Sequence, residues 1–245
     1  MTLKRYNINY HNLFYVARSC DTLFPVEKFS IKIARLLVRL GVSANFLTIA
    51  GLFLALGSGW LIFQGSFFLA GCVLLLSGFF DMLDGAVARN SGVQSKFGGI
   101  LDSSLDRYGD GFAFGGILLF YANLYRPQYM ALAISALLGS FLISYARARA
   151  ECEMDDCRVG FWERGERLVF IALALFFHNL EAALWILGIG THWTVLQRLF
   201  FARCQTKEFS AQSKVFWNSP SRSSAAYYLK IASLIFLLIF WRVSF

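Results

Sequence analysis

Six apolar stretches, each about as long as a membrane-crossing helix, occupy most of the chain between residues 46 and 202. A helix of about 20 apolar residues crosses the hydrocarbon core of a bilayer, and it satisfies its own backbone hydrogen bonds where no water is present. The stretches predict spans near residues 46–64, 66–88, 98–124, 129–149, 167–179 and 180–202. The expected fold is therefore an all-α integral membrane protein with six transmembrane helices.

The composition favours a membrane protein over a soluble one. Of the 245 residues, 57% are hydrophobic and only 16% are charged, against about 25% charged residues in an average soluble domain. The formal net charge is +8, but the basic residues lie between apolar stretches and no nucleic-acid-binding motif is present. We therefore expect a lipid bilayer, and no nucleic acid, as the partner of this positive charge.

The distribution of Lys and Arg predicts how the helices are oriented. Basic residues are concentrated in the N-terminus and in residues 89–97, 147–167 and 198–207. The alternate connections differ, because residues 62–67 carry no charge and residues 122–129 carry a single arginine. Since Lys and Arg favour cytoplasmic segments, the chain is predicted to be a multi-pass protein of the cell membrane whose active face lies in the cytoplasm.

Residues 24–40 predict an amphipathic helix just before the first span. Lys28, Lys32, Arg35 and Arg39 recur at intervals of three or four residues, and most apolar side chains fall on the other side. A soluble helix can show the same pattern, but this one adjoins a membrane span. We therefore predict a juxtamembrane helix that lies on the bilayer surface with its basic face towards lipid phosphates.

The predicted domain organisation has four parts. An N-terminal extension covers residues 1–23, and the amphipathic helix of residues 24–40 leads into a six-helix membrane domain at residues 44–204. Residues 205–245 form a C-terminal tail, in which residues 225–241 become apolar again. A further membrane helix, a surface helix and a loosely packed end are all compatible with that apolar run.

Four carboxylates lie at the ends of two apolar stretches, where ionised groups are costly and usually functional. Asp81 and Asp84 are three residues apart and share one helix face; Asp102 and Asp106 are four apart and share another. The short connection between the stretches predicts antiparallel neighbouring helices, so that the two pairs face each other. Four such groups repel unless cations lie between them, and hard divalent cations prefer oxygen ligands. No His or Cys accompanies them, so Mg²⁺ or Mn²⁺ is favoured over zinc.

Small residues beside the carboxylates leave helix surface uncovered. Gly85, Ala86 and Ala88 form one such surface, and the glycine pair at 98–99 forms another. Bare surfaces of this kind permit close helix packing or the close approach of a ligand to the backbone. Arg89 lies one turn beyond Gly85 and can pair with a phosphate. Metal ligands, bare backbone and an arginine together predict a diphosphate site.

These residues form one longer pattern. It reads Asp81–x–x–Asp84–Gly85–x–x–Ala88–Arg89, then eight residues, then Gly98–x–x–x–Asp102–x–x–x–Asp106. The pattern resembles the signature of the CDP-alcohol phosphotransferase family, with every fixed position present. The resemblance extends from about Phe24 to Arg203. It implies a six-helix membrane fold, usually assembled as a homodimer. It also implies an enzyme of phospholipid biosynthesis, which transfers the phosphatidyl group of CDP-diacylglycerol or an ether analogue to an alcohol and releases CMP.

The same resemblance implies roles for individual residues. Two ions, Mg²⁺ or Mn²⁺, would be held by Asp81, Asp84, Asp102 and Asp106, and Asp106 would also be the general base that deprotonates the acceptor hydroxyl. The contacts to the CDP-lipid would come from Ala44, Asn45, Phe46, Leu47, Gly85, Arg89 and Ser95. Ala44 stands where the family usually has proline.

The basic residues that follow the fourth stretch suggest an acceptor that itself carries phosphate. The candidate contacts are Ser144, Arg147, Arg164, Arg167 and Arg203. The stretches Leu101–Arg107 and Ser144–Glu151 are most similar to the inositol-phosphate-using branch of the family. Glycerol 3-phosphate is the alternative acceptor, and a cytoplasmic face rich in arginine without any ligand is the alternative for each arginine.

A membrane transporter or ion channel is the alternative from another functional class, because carboxylates in spans also line ion pathways. Transporters often show interrupted helices and repeated halves. Neither is evident in this sequence, which favours the enzyme.

Overall fold

The computed structural model describes residues 25–91, 95–154, 157 and 159–205, and every regular element in these residues is an α-helix. This confirms the all-α prediction for the described part of the chain. The seven helices are α1 Pro25–Arg39, α2 Ala44–Phe63, α3 Phe67–Ser91, α4 Lys96–Asn123, α5 Pro127–Ala150, α6 Arg164–Phe176 and α7 Leu180–Gln205.

Each predicted span corresponds to one helix, but the helices differ in their fitness to cross a bilayer. Among the described residues, α2, α3 and α5 are long and apolar enough to cross a membrane. Helix α6 has 13 residues, or about 20 Å of helix, against a hydrocarbon core about 30 Å thick. A membrane protein is therefore supported, whereas six spans remain a prediction for α4, α6 and α7.

Helix α6 ends three residues earlier than the sequence predicted. The backbone amides of Phe177 and Asn179 donate to the carbonyls of Leu173 and Ala174, at 3.0 and 2.9 Å. His178 between them adopts a left-handed conformation with φ of 52°. This tight turn closes α6 and starts α7, so the predicted break near residues 178–181 is present although the predicted helix ran slightly past it.

Helix α1 confirms a helix over residues 25–39 of the predicted 24–40, and it packs against α3. Ala34 is buried there in a small apolar cluster with Leu47, Leu83 and Val87. The position of helix α1 on a membrane surface stays a prediction. The N-terminal extension at residues 1–23 and the C-terminal tail after residue 205, with its apolar run, lie outside the described residues.

Helix α2 packs against both α3 and α4, and it lies between them. The hydroxyls of Ser77 and Ser58 donate across the α2–α3 interface to the carbonyls of Gly51 and Ala70, at 2.8 and 3.0 Å. Among the described residues α3 and α4 make no extensive contact with each other. The expectation that these two helices pack directly together is therefore wrong, since the intervening α2 keeps them apart and leaves a cleft.

The second half of the bundle is built on α5, α6 and α7. Helix α5 packs against α4 and α7, and α6 packs against α3 and α7. Arg198 of α7 is only 2% exposed and donates to the carbonyls of Val159 and Ile143, at 2.8 and 2.6 Å. This arginine ties the segment that precedes α6 to the end of α5, and so fixes where α6 begins.

Substituting Gly116 with alanine should lower stability, because a Cβ at that position would collide with the backbone of Gly59 on α2. Backbone cannot yield as a flexible side chain can, and overpacking of this kind costs about 1–3 kcal/mol. Gly115→Ala is the matched control, since a Cβ at that position would have no neighbouring atom within 4 Å. We expect the thermal unfolding midpoint in detergent to fall for Gly116→Ala and to hold for Gly115→Ala. Equal midpoints for the two variants would contradict the close α2–α4 contact.

Candidate functional site

Three of the four predicted metal ligands converge across the cleft between α3 and α4. One carboxylate oxygen from each of Asp81, Asp102 and Asp106 lies within 4.8 Å of the others, and all three residues are half-buried. Asp81 comes from α3, and the other two come from successive turns of α4. The sequence spacing thus predicted which side chains meet, even though the helices that carry them are separated.

Asp84, the fourth predicted ligand, is buried one turn from Asp81 and only 5% exposed. Its Oδ2 atom and the Oδ1 atom of Asp102 are buried without a hydrogen-bond partner among the described residues. With Thr48, Asp84 lines the same cleft as Asp81 and Asp106. Buried unpartnered carboxylate oxygens are costly, and an all-oxygen donor set fits a hard divalent cation.

Arg164, the first residue of α6, inserts its guanidinium into this carboxylate cluster. Its Nη1 atom lies 2.5 Å from Asp81 Oδ2 and 2.7 Å from Asp106 Oδ1. These ion pairs offset the repulsion between carboxylates that the cleft brings together. The sequence suggested Arg164 as a contact to the acceptor; the structure places it where its charge also neutralises two predicted metal ligands.

Five of the seven predicted CDP-lipid contacts lie where α2 and α4 begin. Ser95 caps α4 by accepting from the amide of Gly98 at 2.8 Å. A Cβ at Gly98 would lie 2.9 Å from Ser95 Oγ and 3.5 Å from Asn45 Oδ1, so these polar atoms surround a glycine surface. Phe46 is exposed, whereas Leu47 is buried in the α1–α3 cluster. Ala44 is the first residue of α2.

Arg89 folds back along α3 towards Gly85. A Cβ at Gly85 would lie 3.4 Å from Arg89 Nη1, which shows that the guanidinium lies over the bare helix surface. The predicted combination of a glycine and an arginine one turn apart is therefore present on one face of α3.

The predicted acceptor residues are distributed over three helices. Ser144 and Arg147 lie near the end of α5, where the guanidinium of Arg147 pairs with Glu151 at 2.8 Å. Arg203 is exposed on the last turns of α7. Arg167 is only 2% exposed and is bonded inside the bundle. Among the described residues that line the carboxylate cleft, Arg164 is the sole member of this set.

One further residue of the site, Asp110, was not singled out by the sequence. Asp110 continues the series Asp102–Asp106 by another four residues, and its Oδ2 atom lies 2.7 Å from Arg167 Nη2. That spacing was a usable signal. Arg198, inside the stretch predicted as the sixth span, holds the segment before α6.

Comparison with known families gives a match over most of the helical part of the chain. Residues 41–197 match the family described as CDP-alcohol phosphatidyltransferase. The archaetidylinositol phosphate synthase of Pyrococcus horikoshii is 36% identical over 180 residues, which are 73% of this chain and 91% of that protein. The phosphatidylinositol phosphate synthase of Corynebacterium glutamicum is 34% identical over 212 residues, which are 83% of this chain and 94% of that protein.

Solved structures of one similar enzyme share the fold. The phosphatidylinositol phosphate synthase of Mycobacterium tuberculosis with CDP-DAG bound superimposes with a TM-score of 0.67 and 32% identity, covering 72% of this chain and 94% of that one. The same enzyme in complex with manganese and citrate gives a TM-score of 0.64 and 31% identity, covering 80% and 92%.

Arg164→Gln should make the protein depend more strongly on a divalent cation. Without the guanidinium, Asp81 and Asp106 lose the charge that offsets their repulsion, and we expect the free energy of unfolding in EDTA to fall by about 1–3 kcal/mol. Added Mn²⁺ should then raise the thermal midpoint of the variant more than that of the unaltered protein.

The control is Arg149→Gln, on α5, whose guanidinium pairs with Glu153 at the exposed helix surface. Its midpoints should stay near those of the unaltered protein with and without Mn²⁺. An Arg164→Gln variant that responds to EDTA and Mn²⁺ as the unaltered protein does would show that the arginine does not balance the carboxylates.

Proposed function

The chain belongs to the CDP-alcohol phosphatidyltransferase family, and on that basis we propose that it transfers the phosphatidyl group of CDP-diacylglycerol, or of an ether analogue, to a hydroxyl of inositol phosphate and releases CMP. The observation that carries this proposal is the carboxylate cluster of Asp81, Asp102 and Asp106 with Arg164 inserted into it. The named relatives supply the acceptor, because both curated relatives described above are inositol phosphate lipid synthases.

Two divalent cations, Mg²⁺ or Mn²⁺, would be held by Asp81, Asp84, Asp102 and Asp106. The support is the all-oxygen donor set and the two buried oxygens without partners among the described residues. When bound, such cations offset the negative charge of the diphosphate and of the departing CMP.

Asp106 would act as the general base. In the proposed reaction the acceptor oxygen forms a new bond to the phosphorus that carries the diacylglycerol, the bond from that phosphorus to CMP breaks, and the acceptor proton passes to Asp106. A carboxylate within hydrogen-bond reach of the hydroxyl suffices for this transfer. Asp106 lines the cleft and is half-buried, which keeps its carboxylate accessible to a substrate.

The nucleotide side of the substrate would lie along α2, α3 and the start of α4. Asn45 and Ser95 offer polar atoms around Gly98, and Arg89 offers a guanidinium over Gly85. Ala44, Phe46 and Leu47 would line the same end of α2, where Leu47 is buried and would shape the site by packing. These groups can bind a diphosphate and a sugar without moving the carboxylates.

The acceptor side would begin at Arg164, whose guanidinium already reaches the carboxylates. Ser144, Arg147 and Arg203 would line the approach from α5 and α7. Arg167 is bonded to Asp110 and to the carbonyl of Trp162, so it would support Arg164 indirectly, through Asp110. A guanidinium at this position can bind the phosphate of the acceptor and turn its hydroxyl towards Asp106.

We also propose six membrane spans with the carboxylate cleft open to the cytoplasm, α1 on the membrane surface, and a homodimer as the assembled enzyme. The support is the apolar length of α2, α3 and α5 together with the basic residues of the segments on the cleft side. The dimer is an expectation from the family.

Purified protein in detergent, with CDP-diacylglycerol and Mg²⁺, should release CMP when myo-inositol 1-phosphate is added. Asp106→Asn should reduce that rate by roughly 10²–10⁴-fold, which is the usual contribution of a general base. Glu153→Gln removes a carboxylate from an exposed ion pair on the surface and should leave the rate unchanged.

Each outcome bears on a different part of the proposal. CMP release with sn-glycerol 3-phosphate alone would contradict the acceptor while keeping the chemistry of the family. An Asp106→Asn enzyme with the full rate would exclude Asp106 as the base. Absence of CMP with either acceptor, from folded protein with Mg²⁺ present, would contradict the proposed transfer to a phosphorylated alcohol.

A further inference from the structure

Asp110 lies one turn beyond Asp106 on α4 and faces two guanidinium groups. Its Oδ2 atom lies 2.7 Å from Arg167 Nη2, and its Oδ1 atom lies 3.9 Å from Arg164 Nε. The Asp110 side chain is 15% exposed. Neither the family signature nor the proposed metal ligands include this residue, yet it contacts the arginine that enters the carboxylate cluster.

The ion pair of Asp110 with Arg167 is anchored at its arginine end. Arg167 is almost fully buried, and its Nη1 atom donates to the carbonyl of Trp162 at 2.9 Å. A buried arginine fixed in this way has little freedom to leave. That bond holds the carboxylate of Asp110, and its second oxygen lies at ion-pair distance from Arg164 Nε, 3.9 Å away, without a hydrogen bond.

The backbone beside Asp110 is shaped to the same guanidinium. A Cβ at Gly109 would lie 3.4 Å from Arg164 Nη2 and 3.6 Å from Ala55 Cβ. The guanidinium of Arg164 thus lies against bare backbone on one side and near the carboxylate of Asp110 on another. Asp110, Arg164 and Arg167 also line a second pocket next to the carboxylate cleft.

The other two carboxylates near Arg164, Asp81 and Asp106, are proposed ligands of the divalent cations. Asp81 and Asp106 pair with its Nη1 atom, and a carboxylate that binds a cation has less negative charge to offer a guanidinium. A largely buried guanidinium without a neighbouring negative charge is energetically unfavourable, so Arg164 would tend to leave this position. Asp110 is a carboxylate that lies near Arg164 and stands outside the proposed metal-binding set.

We propose that Asp110 is a positioning residue, which keeps the guanidinium of Arg164 in the cleft as a phosphate-binding group when divalent cations occupy Asp81 and Asp106. The inference rests on the proposed function to the extent that the bound phosphate is that of the acceptor. Asp110 itself touches neither the acceptor nor the reacting atoms; it acts through Arg164.

The test compares Asp110→Asn with Asp110→Glu, and with Glu153→Gln as the surface carboxylate control. Asparagine keeps the size of the side chain and an oxygen for Arg167 but removes the charge, whereas glutamate keeps the charge. Inorganic phosphate is titrated by calorimetry in Mg²⁺ buffer as a probe that does not depend on the identity of the acceptor. Mn²⁺ affinity, the thermal midpoint and the KM values for both substrates are measured on the same samples.

We expect Asp110→Asn to bind phosphate about tenfold more weakly, as for loss of a charge-assisted contact. The KM for the acceptor should rise by a similar factor, while the KM for CDP-diacylglycerol and the Mn²⁺ affinity stay within about twofold. Asp110→Glu should recover most of the phosphate affinity. This selective loss separates a positioning residue from one that merely stabilises the bundle.

Three results would overturn the inference: equal phosphate affinity for Asp110→Asn and the unaltered protein, no phosphate affinity in the unaltered protein, or a joint fall of phosphate affinity, Mn²⁺ affinity and thermal midpoint that glutamate does not relieve. A different result separates the two proposals. If the unaltered protein releases no CMP with inositol phosphate but binds phosphate in a way that depends on Asp110, the acceptor is wrong and the positioning role stands.

Discussion

Electrostatic repulsion among carboxylates in an apolar bundle is the constraint on which the rest of this structure depends. Asp81, Asp102 and Asp106 bring negative oxygens within 4.8 Å of one another, in surroundings where charges interact more strongly than in water. The guanidinium of Arg164, on helix α6, offsets this repulsion with its positive charge. The same excess of negative charge makes the site suitable for divalent cations, so the cost of assembly and the proposed chemistry have one origin.

The packing of the bundle follows from that constraint. Two helices with facing carboxylates gain little from direct contact, and α2 lies between them. Glycines permit this arrangement, because Gly59 and Gly116 allow α2 and α4 to approach at backbone distance. The resulting cleft is narrow enough for side chains from α3 and α4 to meet and open enough to admit a ligand between them.

Much of the site could be predicted because its residues are close in sequence. Helical spacing alone placed Asp81 with Asp84 and Asp102 with Asp106, and the family signature named them. The insertion of Arg164 could not be predicted, since it depends on where α6 begins, and Arg198 fixes that point from α7. The early end of α6 was missed because the turn at His178 lies within an apolar run. Asp110 was visible as a continued four-residue spacing, and its meaning emerged only with its two arginine partners.

The shortness of α6 has a consequence for how two unlike substrates meet. If α6 lies across the bilayer as proposed, its 13 residues leave about 10 Å of the hydrocarbon thickness uncovered. Arg164, at the first residue of α6, reaches the carboxylates of Asp81 and Asp106. If the shortfall lies at this end, polar side chains rather than apolar helix would occupy that part of the thickness. A sugar phosphate that does not enter hydrocarbon and a lipid that does not leave it can then react at the same level in the membrane.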